Sequence, residues 1–232
     1  MTLNIVEKID GPVKINHVLA SVSDKTGLDH LVRALIEINP KVTIYSTGGT
    51  YNAINTWLGP KLAKKNLVQV SKYTGQPEMQ GGLVKTLDFK IYLGLLSETY
   101  NKAHVLDLKR VKGVPIDMVV VNLYPFKQTI SRSGVTPEEA RTNIDIGGPC
   151  MIRASAKNYL RVSSVTDPVD YDRIADELAQ SKGKISLRTR FNLARKAFTH
   201  TAEYDSAISR YLAARDFGEI ESCYKINQGK KK

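Results

Sequence analysis

Apolar and polar positions alternate between two periods along this chain, and the switches between them outline an α/β plan. His17 to Ser23 is a short, mainly apolar run, and the polar stretch Ser23-Asp24-Lys25-Thr26-Gly27 interrupts it, so it reads as a buried strand followed by a loop. Leu28, Leu31, Val32 and Leu35 then recur at i, i+3, i+4 and i+7, which is one face of a helix, and Asn39-Pro40 stops it. The unit repeats. Lys41 to Tyr45 predicts a strand, Ser46-Thr47-Gly48-Gly49-Thr50 a loop, Tyr51 to Leu58 a helix and Leu67 to Val70 a third strand. Strand, polar loop and helix in succession open an α/β fold.

The middle of the chain is less periodic. Residues 73–86 are glycine-rich, and a long loop of this kind in a compact domain is usually functional or disordered. Ile91 to Leu96 predicts the start of a helix, and the mixed polar residues 98–113 an excursion. Ile116 to Phe126 is the clearest strand, and its continuous apolar run implies burial on both faces, as in a parallel sheet. Thr136 caps a short helix beginning at Pro137. A strand over Arg161 to Thr166, a helix over Asp170 to Leu178 and a long helix from Ser186 to about Leu212 complete the pattern. One α/β domain over 15–212 is expected, with 1–14 as a lead-in and 213–232 as a basic tail.

Composition changes this picture little. Of 232 residues, 42% are hydrophobic, enough to bury a core. No apolar run approaches the roughly 20 residues of a membrane helix, and the charged start lacks the apolar centre of a signal peptide. Cys150 and Cys223 make no disulfide framework, so a reducing, cytoplasmic setting is expected. Charge adds more. A net charge of +11 suits either nucleic acid or the steering of a phosphorylated small molecule. Lys230, Lys231 and Lys232 read as a solvated tail. Leu187, Phe191, Ala194 and Phe198 keep helical spacing, which puts Arg188, Arg190, Arg195 and Lys196 on the outer faces of that helix. No nucleic-acid-binding signature is present, so nucleic acid is not the expected partner.

Candidate chemistry sits in the loops. The two hydroxyl- and glycine-rich strand-to-helix loops could cradle a phosphate, although loops of this composition are also ordinary helix caps. Lys85-Thr86 offers an ammonium and a hydroxyl. Asn122 and Tyr124 fall at the C-terminal end of the clearest strand, the edge where open α/β sheets bind ligands. Asp145 precedes Ile146-Gly147-Gly148-Pro149, where glycines permit a sharp turn and close approach and Pro149 suits the first turn of a helix. That helix carries Arg153 and Lys157.

In order, Ser-Val-Ser-Asp-Lys-Thr-Gly, Ser-Thr-Gly-Gly-Thr, Pro-Glu-Met followed by Gly-Gly and Val-Lys-Thr-Leu, Val-Asn-Leu-Tyr-Pro-Phe, Asn-Ile-Asp-Ile-Gly-Gly-Pro and Ala-Lys-Asn resemble the inosine monophosphate cyclohydrolase domain of the bifunctional purine-biosynthesis enzyme. The similarity runs from about Val18 to Leu212 and ends with Lys-Ala-Phe-Thr-His-Thr-Ala-Glu-Tyr-Asp. It implies a methylglyoxal-synthase-like three-layer sandwich with a mostly parallel sheet. The implied reaction closes 5-formamidoimidazole-4-carboxamide ribonucleotide to inosinate with loss of water. No metal or organic cofactor is implied, a homodimer is, and a separate formyl transferase is a candidate partner because the family's transferase domain has no counterpart here.

Residue by residue, the resemblance carries the catalytic roles to Lys85, Tyr124, Asp145 and Lys157. Asp145 would take the carboxamide proton, Lys85 and Tyr124 would stabilise the formyl oxygen, and Lys157 would donate and accept protons. Ser23, Asp24, Lys25, Thr26, Thr47, Gly48, Gly49 and Thr50 would bind the nucleotide and its phosphate. Thr86, Asn122 and Ile146 would line the base or ribose. Leu83 stands where the family usually has arginine, Asp88-Phe89 where it has His-Pro, and Tyr92 and Tyr159 where it has histidine. These departures keep an alternative open: a relative that binds a purine nucleotide or a partner without efficient turnover.

Overall fold

The computed structural model of the protein describes residues 4–76 and 85–227. Leu83 and the terminal lysines Lys230 to Lys232 lie outside the described residues.

The apolar runs form a five-stranded sheet in which every pairing is parallel. Its strands are β2 (His17–Val22), β3 (Thr43–Ser46), β4 (Leu67–Gln69), β5 (Met118–Asn122) and β6 (Ser163–Val165), in the order β4-β3-β2-β5-β6. Alternation along each strand feeds two cores. Val18, Ala20 and Val22 of β2, with Met118 and Val120 of β5, face one side. There they meet α1 (Leu28–Ile38), α2 (Gly48–Asn66) and α9 (Tyr171–Gln180) through Leu31, Ile54 and Ile174. Leu19, Val119 and Val121 face the other side. They pack there with α4 (Phe89–Leu96), α8 (Gly147–Lys157) and α10 (Leu187–Ala213) through Leu95, Ile152 and Ala197. The result is the expected three-layer α/β sandwich.

The chain leaves β2 towards β3 and β4 on one side, and places β5 and β6 on the other. The direction of winding therefore switches beside β2. In such sheets a crevice opens there, outside the C-terminal strand ends.

Several elements differ from expectation. α2 begins inside the expected loop, at Gly48, and Gly59 at φ 66° breaks it before Pro60. The polar excursion holds α5 (Lys102–Arg110), capped by the Asn101 side chain on the Ala103 and His104 amides. The short helix α3 (Val70–Thr74) follows β4 directly, α6 (Phe126–Ile130) follows β5 after three residues, and α7 (Pro137–Thr142) carries the predicted Thr136 cap as a full capping box with Glu139. The lead-in is paired: β1 (Val13–Lys14) runs antiparallel to β7 (Lys184–Ile185). The tail contains α11 (Phe217–Glu221), and the Tyr224 hydroxyl beyond it donates to the Glu138 carboxylate.

The buried face of α10 is also not the one expected. Phe191 and Phe198 are 46% and 40% exposed, whereas Arg190 is 0% exposed. The guanidinium of Arg190 donates to the carbonyls of Asp10, Gly11, Tyr159, Leu160 and Ile185 at 2.7–3.0 Å. A buried arginine is stable where each donor finds an acceptor, and here one side chain ties the lead-in, the β7 end and the α8–β6 connection to α10.

Candidate active site

A cavity of about 380 Å³ lies at the switch point, over the C-terminal ends of β2, β3 and β5. That volume falls within the range of small-molecule sites. Among the described residues its wall includes Ser23, Lys25, Thr47, Gly48, Gly49, Thr50, Lys85, Thr86, Asn122, Tyr124, Asp145 and Ile146. Lys25 and Lys85 are the cations of that wall and Asp145 its carboxylate.

The first wall is held rigidly from below. The Thr50 hydroxyl accepts from the Val22 amide and donates to the Val22 carbonyl, both at 3.0 Å, which fastens the first turn of α2 to β2. The Thr47 hydroxyl makes no cap to its own helix and pairs instead with Ser21 Oγ at 2.9 Å. The N-terminal turn of α2 is thereby turned towards the cavity, where backbone N–H groups and the helix dipole favour an anion. Gly48 adopts φ +44°, and a Cβ there would stand 2.9 Å from Lys85 Nζ. Glycine is thus required twice over: for its backbone conformation and to admit the ammonium group.

The 23–26 loop is held by Asn122. Its Oδ1 accepts from the amides of Ser23 and Asp24 at 2.7 and 2.9 Å, and its Nδ2 donates to the Asp24 carbonyl at 2.8 Å. The Asn122 amide is therefore a latch between β5 and the loop after β2, and its second Nδ2 hydrogen is not used by these bonds. Asp24 and Thr26 do not line the cavity. Asp24 Oδ1 accepts from the Thr26 amide at 2.9 Å and the Thr26 hydroxyl at 2.7 Å, so the pair shapes the turn before α1. Those hydrogen bonds, the hydroxyl's first, hold the Asp24 carboxyl below its ordinary value.

The opposite wall carries the carboxylate of Asp145. Asp145 Oδ1 accepts from the Gly148 amide at 2.9 Å in the first turn of α8. Burial pushes its pKa above the ordinary carboxylate value, while the backbone N–H groups of Gly148 and Tyr124 pull the other way. Gly147 and Gly148 do not make a sharp turn; both are helical and their φ is not positive. What they supply is close approach: a Cβ on Gly147 would lie 2.7 Å from Thr86 Oγ1, and one on Gly148 2.5 Å from both Asp145 Oδ2 and Leu123 Cδ2. Gly147 and Gly148, expected to permit close approach, line the wall, and so does Ser21, which the sequence pattern did not single out.

Lys157 is the clear departure. It does not line the cavity. α8 starts at Gly147, not late, and runs to Lys157, which puts this exposed lysine about 15 Å along the axis from the glycines. The departures Asp88, Phe89, Tyr92 and Tyr159 are not part of the wall either. Asp88 caps α4 through the Lys90 amide at 2.8 Å, and the Tyr159 ring stacks edge-on against Phe191 at 5.3 Å.

Residues 27–150 match the family model described as MGS-like domain, and residues 155–232 match the one described as AICARFT/IMPCHase bienzyme. A "Bifunctional purine biosynthesis protein PurH" from Thermoanaerobacter sp. (strain X514) is 50% identical over 198 residues, covering 85% of this chain and 37% of the relative. A protein of the same name from Ruminiclostridium cellulolyticum is 45% identical over 208 residues, covering 89% of this chain and 38% of the relative. This chain therefore spans little more than a third of the length of these curated relatives. Among solved structures, the "Crystal structure of ForH" superposes with a TM-score of 0.69 at 28% identity, covering 84% of this chain and 97% of that one.

Proposed function

The chain belongs to the MGS-like domain family, and from that premise we propose that it is an inosine monophosphate cyclohydrolase acting in purine biosynthesis. The substrate is 5-formamidoimidazole-4-carboxamide ribonucleotide. Its carboxamide nitrogen attacks the formyl carbon, and the closed ring loses water to give inosinate. The observation that carries this reading is one cavity that joins Lys85, Tyr124 and Asp145 to two hydroxyl- and glycine-rich loops. The relatives named as purine-biosynthesis proteins and the bienzyme family match support it.

The chemistry is divided between the walls. The phosphate rests on the N-terminal turn of α2 and the loop that Asn122 latches, with Lys25 as counter-charge. Asp145 takes the proton of the carboxamide nitrogen, and burial, which raises its pKa, makes it a stronger base than an ordinary carboxylate. Lys85 and the Tyr124 hydroxyl stabilise the charge that develops on the formyl oxygen, a role in which each donor contributes about 10²- to 10³-fold in rate. Both reacting groups belong to one molecule, so holding them in attack geometry supplies much of the acceleration.

The protein acts as a homodimer in which Lys157 of one copy serves the cavity of the other as proton donor and acceptor. This reading reconciles the role implied by the resemblance with an exposed position at the far end of α8. Departures from the family pattern at Asp88, Phe89, Tyr92 and Tyr159 leave the cavity wall untouched, which favours turnover over binding alone. The direct test follows ultraviolet absorbance on mixing the protein with the formamido substrate. Ring closure is expected. Retained inosinate binding with no turnover at high protein concentration would overturn the reading.

A further inference from the structure

The Lys-Ala-Phe-Thr-His-Thr-Ala-Glu-Tyr-Asp run on α10 has no part in the chemistry above, and no residue of it lines the cavity. One of its side chains nevertheless reaches the catalytic wall. The hydroxyl of Tyr204 accepts from the Asp145 amide at 2.8 Å and donates to the Asn143 carbonyl at 3.3 Å. These bonds span 59 and 61 residues, so no local turn would fix the loop in this way. The ring beneath the hydroxyl is 8% exposed and meets Phe126 edge-on at 6.2 Å. Phe126 is in turn bound to the Tyr124 strand end, since its amide donates to the Tyr124 carbonyl at 2.8 Å. A single tyrosine therefore supports two of the segments that carry candidate catalytic groups, those of Asp145 and Tyr124, without lining the cavity.

From this geometry we propose that Tyr204 is a positioning residue: its hydroxyl fixes the 143–145 loop so that the Asp145 carboxylate stays buried against the first turn of α8 and aimed into the cavity. The inference deepens the cyclohydrolase reading and rests on it for the kinetic consequence alone. The arrangement is chemically stable. Burial and the neighbouring carboxylates of Asp145 and Asp205 keep the Tyr204 hydroxyl protonated, so it can donate and accept at once. Around the Asp145 carboxyl itself stand the amides of Gly148 and Tyr124, and burial outweighs them.

Tyr204→Phe removes one oxygen and leaves the ring on Phe126. A loosened loop admits water to the carboxyl, so Asp145 titrates closer to the ordinary carboxylate range. The expected result is a kcat lowered about tenfold or more with KM within twofold, and an acid limb of the pH–rate profile moved to lower pH. A merely structural role would leave that limb in place. A second measurement stands apart from turnover: the carboxyl carbon of Asp145 is titrated by carbon-13 NMR in the wild type and in Tyr204→Phe, with the Asp145→Asn spectrum giving the assignment. A downward move of the titration in Tyr204→Phe is expected. An unchanged Asp145 titration in a folded Tyr204→Phe protein overturns the positioning role, whatever the activity. A wild type without turnover whose Asp145 titration still moves in the variant would overturn the cyclohydrolase reading and leave the positioning role standing.

Discussion

Asp145 is held between opposing influences. Its carboxyl is removed from water, which raises its pKa, while the Gly148 and Tyr124 amides stabilise the anion. Burial prevails. In its proposed role as base Asp145 must be deprotonated, so activity is expected to be lost as pH falls through this raised pKa. The acid limb of kcat/KM is therefore expected above the ordinary carboxylate value of 3.8. Asp145→Asn keeps the oxygen that accepts from Gly148 but cannot take a proton, and a loss of at least about 10² in kcat is expected. Stability moves oppositely. A carboxyl whose folded pKa is raised contributes stability below its unfolded pKa and loses it as pH rises through the folded one. Thermal melts should thus find Asp145→Asn as stable as the wild type or more so at neutral pH, with any gain vanishing in acid. Gly48→Ala tests the opposite wall. Its φ of +44° costs an alanine about 1–2 kcal/mol, and the new Cβ, 2.9 Å from Lys85 Nζ, displaces the ammonium. Steady-state kinetics should give a lower kcat and a higher KM, with only a small loss in melting temperature.

Among the elements, α10 is the one most changed by having its structure. Phe191, Ala194 and Phe198 keep helical spacing, but the spacing fits two adjacent faces: Ala194 is buried as expected, and the buried face runs on through Arg190, Leu193, Ala197, Thr201 and Tyr204 rather than the two phenylalanines. A fully buried arginine satisfied by carbonyls leaves no mark in a hydrophobic pattern. Arg190→Met would strand five carbonyls, and urea unfolding should report a loss of at least about 3 kcal/mol. Arg188→Ala and Arg195→Ala, on the exposed face, should change stability by no more than about 0.5 kcal/mol. Helix α5 was illegible for the reverse reason. Val105 and Leu106 are 52% and 66% exposed, so the segment has no apolar stripe to read. The strands were legible because a parallel sheet buried on both faces needs continuous apolar runs. The two loops at the cavity were legible because glycines and hydroxyls cluster between a strand and a helix there. Asn122 was recognised as part of the site, but its role as a latch depends on a loop 98 and 99 residues away. Lys157 was legible as a residue of α8, but its distance from the cavity was not, because helical pitch fixes a separation only once the start of the helix is known.

For the whole molecule, the separation of Lys157 from its own cavity predicts complementation between copies. Lys157→Ala and Asp145→Asn proteins, each inactive alone, should recover activity when mixed and allowed to exchange partners. A random dimer pool contains one intact cavity in each mixed pair. Failure to recover activity while exchange is demonstrated by native mass spectrometry would remove the shared-site arrangement and leave the cavity chemistry of Lys85, Tyr124 and Asp145 to be judged separately. The same sheet that creates the cavity also determines when it can exist. β2 pairs with β3, 26 positions on, but its other neighbour is β5, about 100 positions on. During synthesis on the ribosome, β2, β3 and β4 emerge long before β5 is made. Through that interval the flank of β2 carrying Val18, Leu19 and Ala20 has no neighbour, an open strand edge of the kind that recruits other chains. A nascent chain arrested before Met118 is therefore the form of this protein most prone to aggregate, and its passage through that length is where a chaperone would be needed.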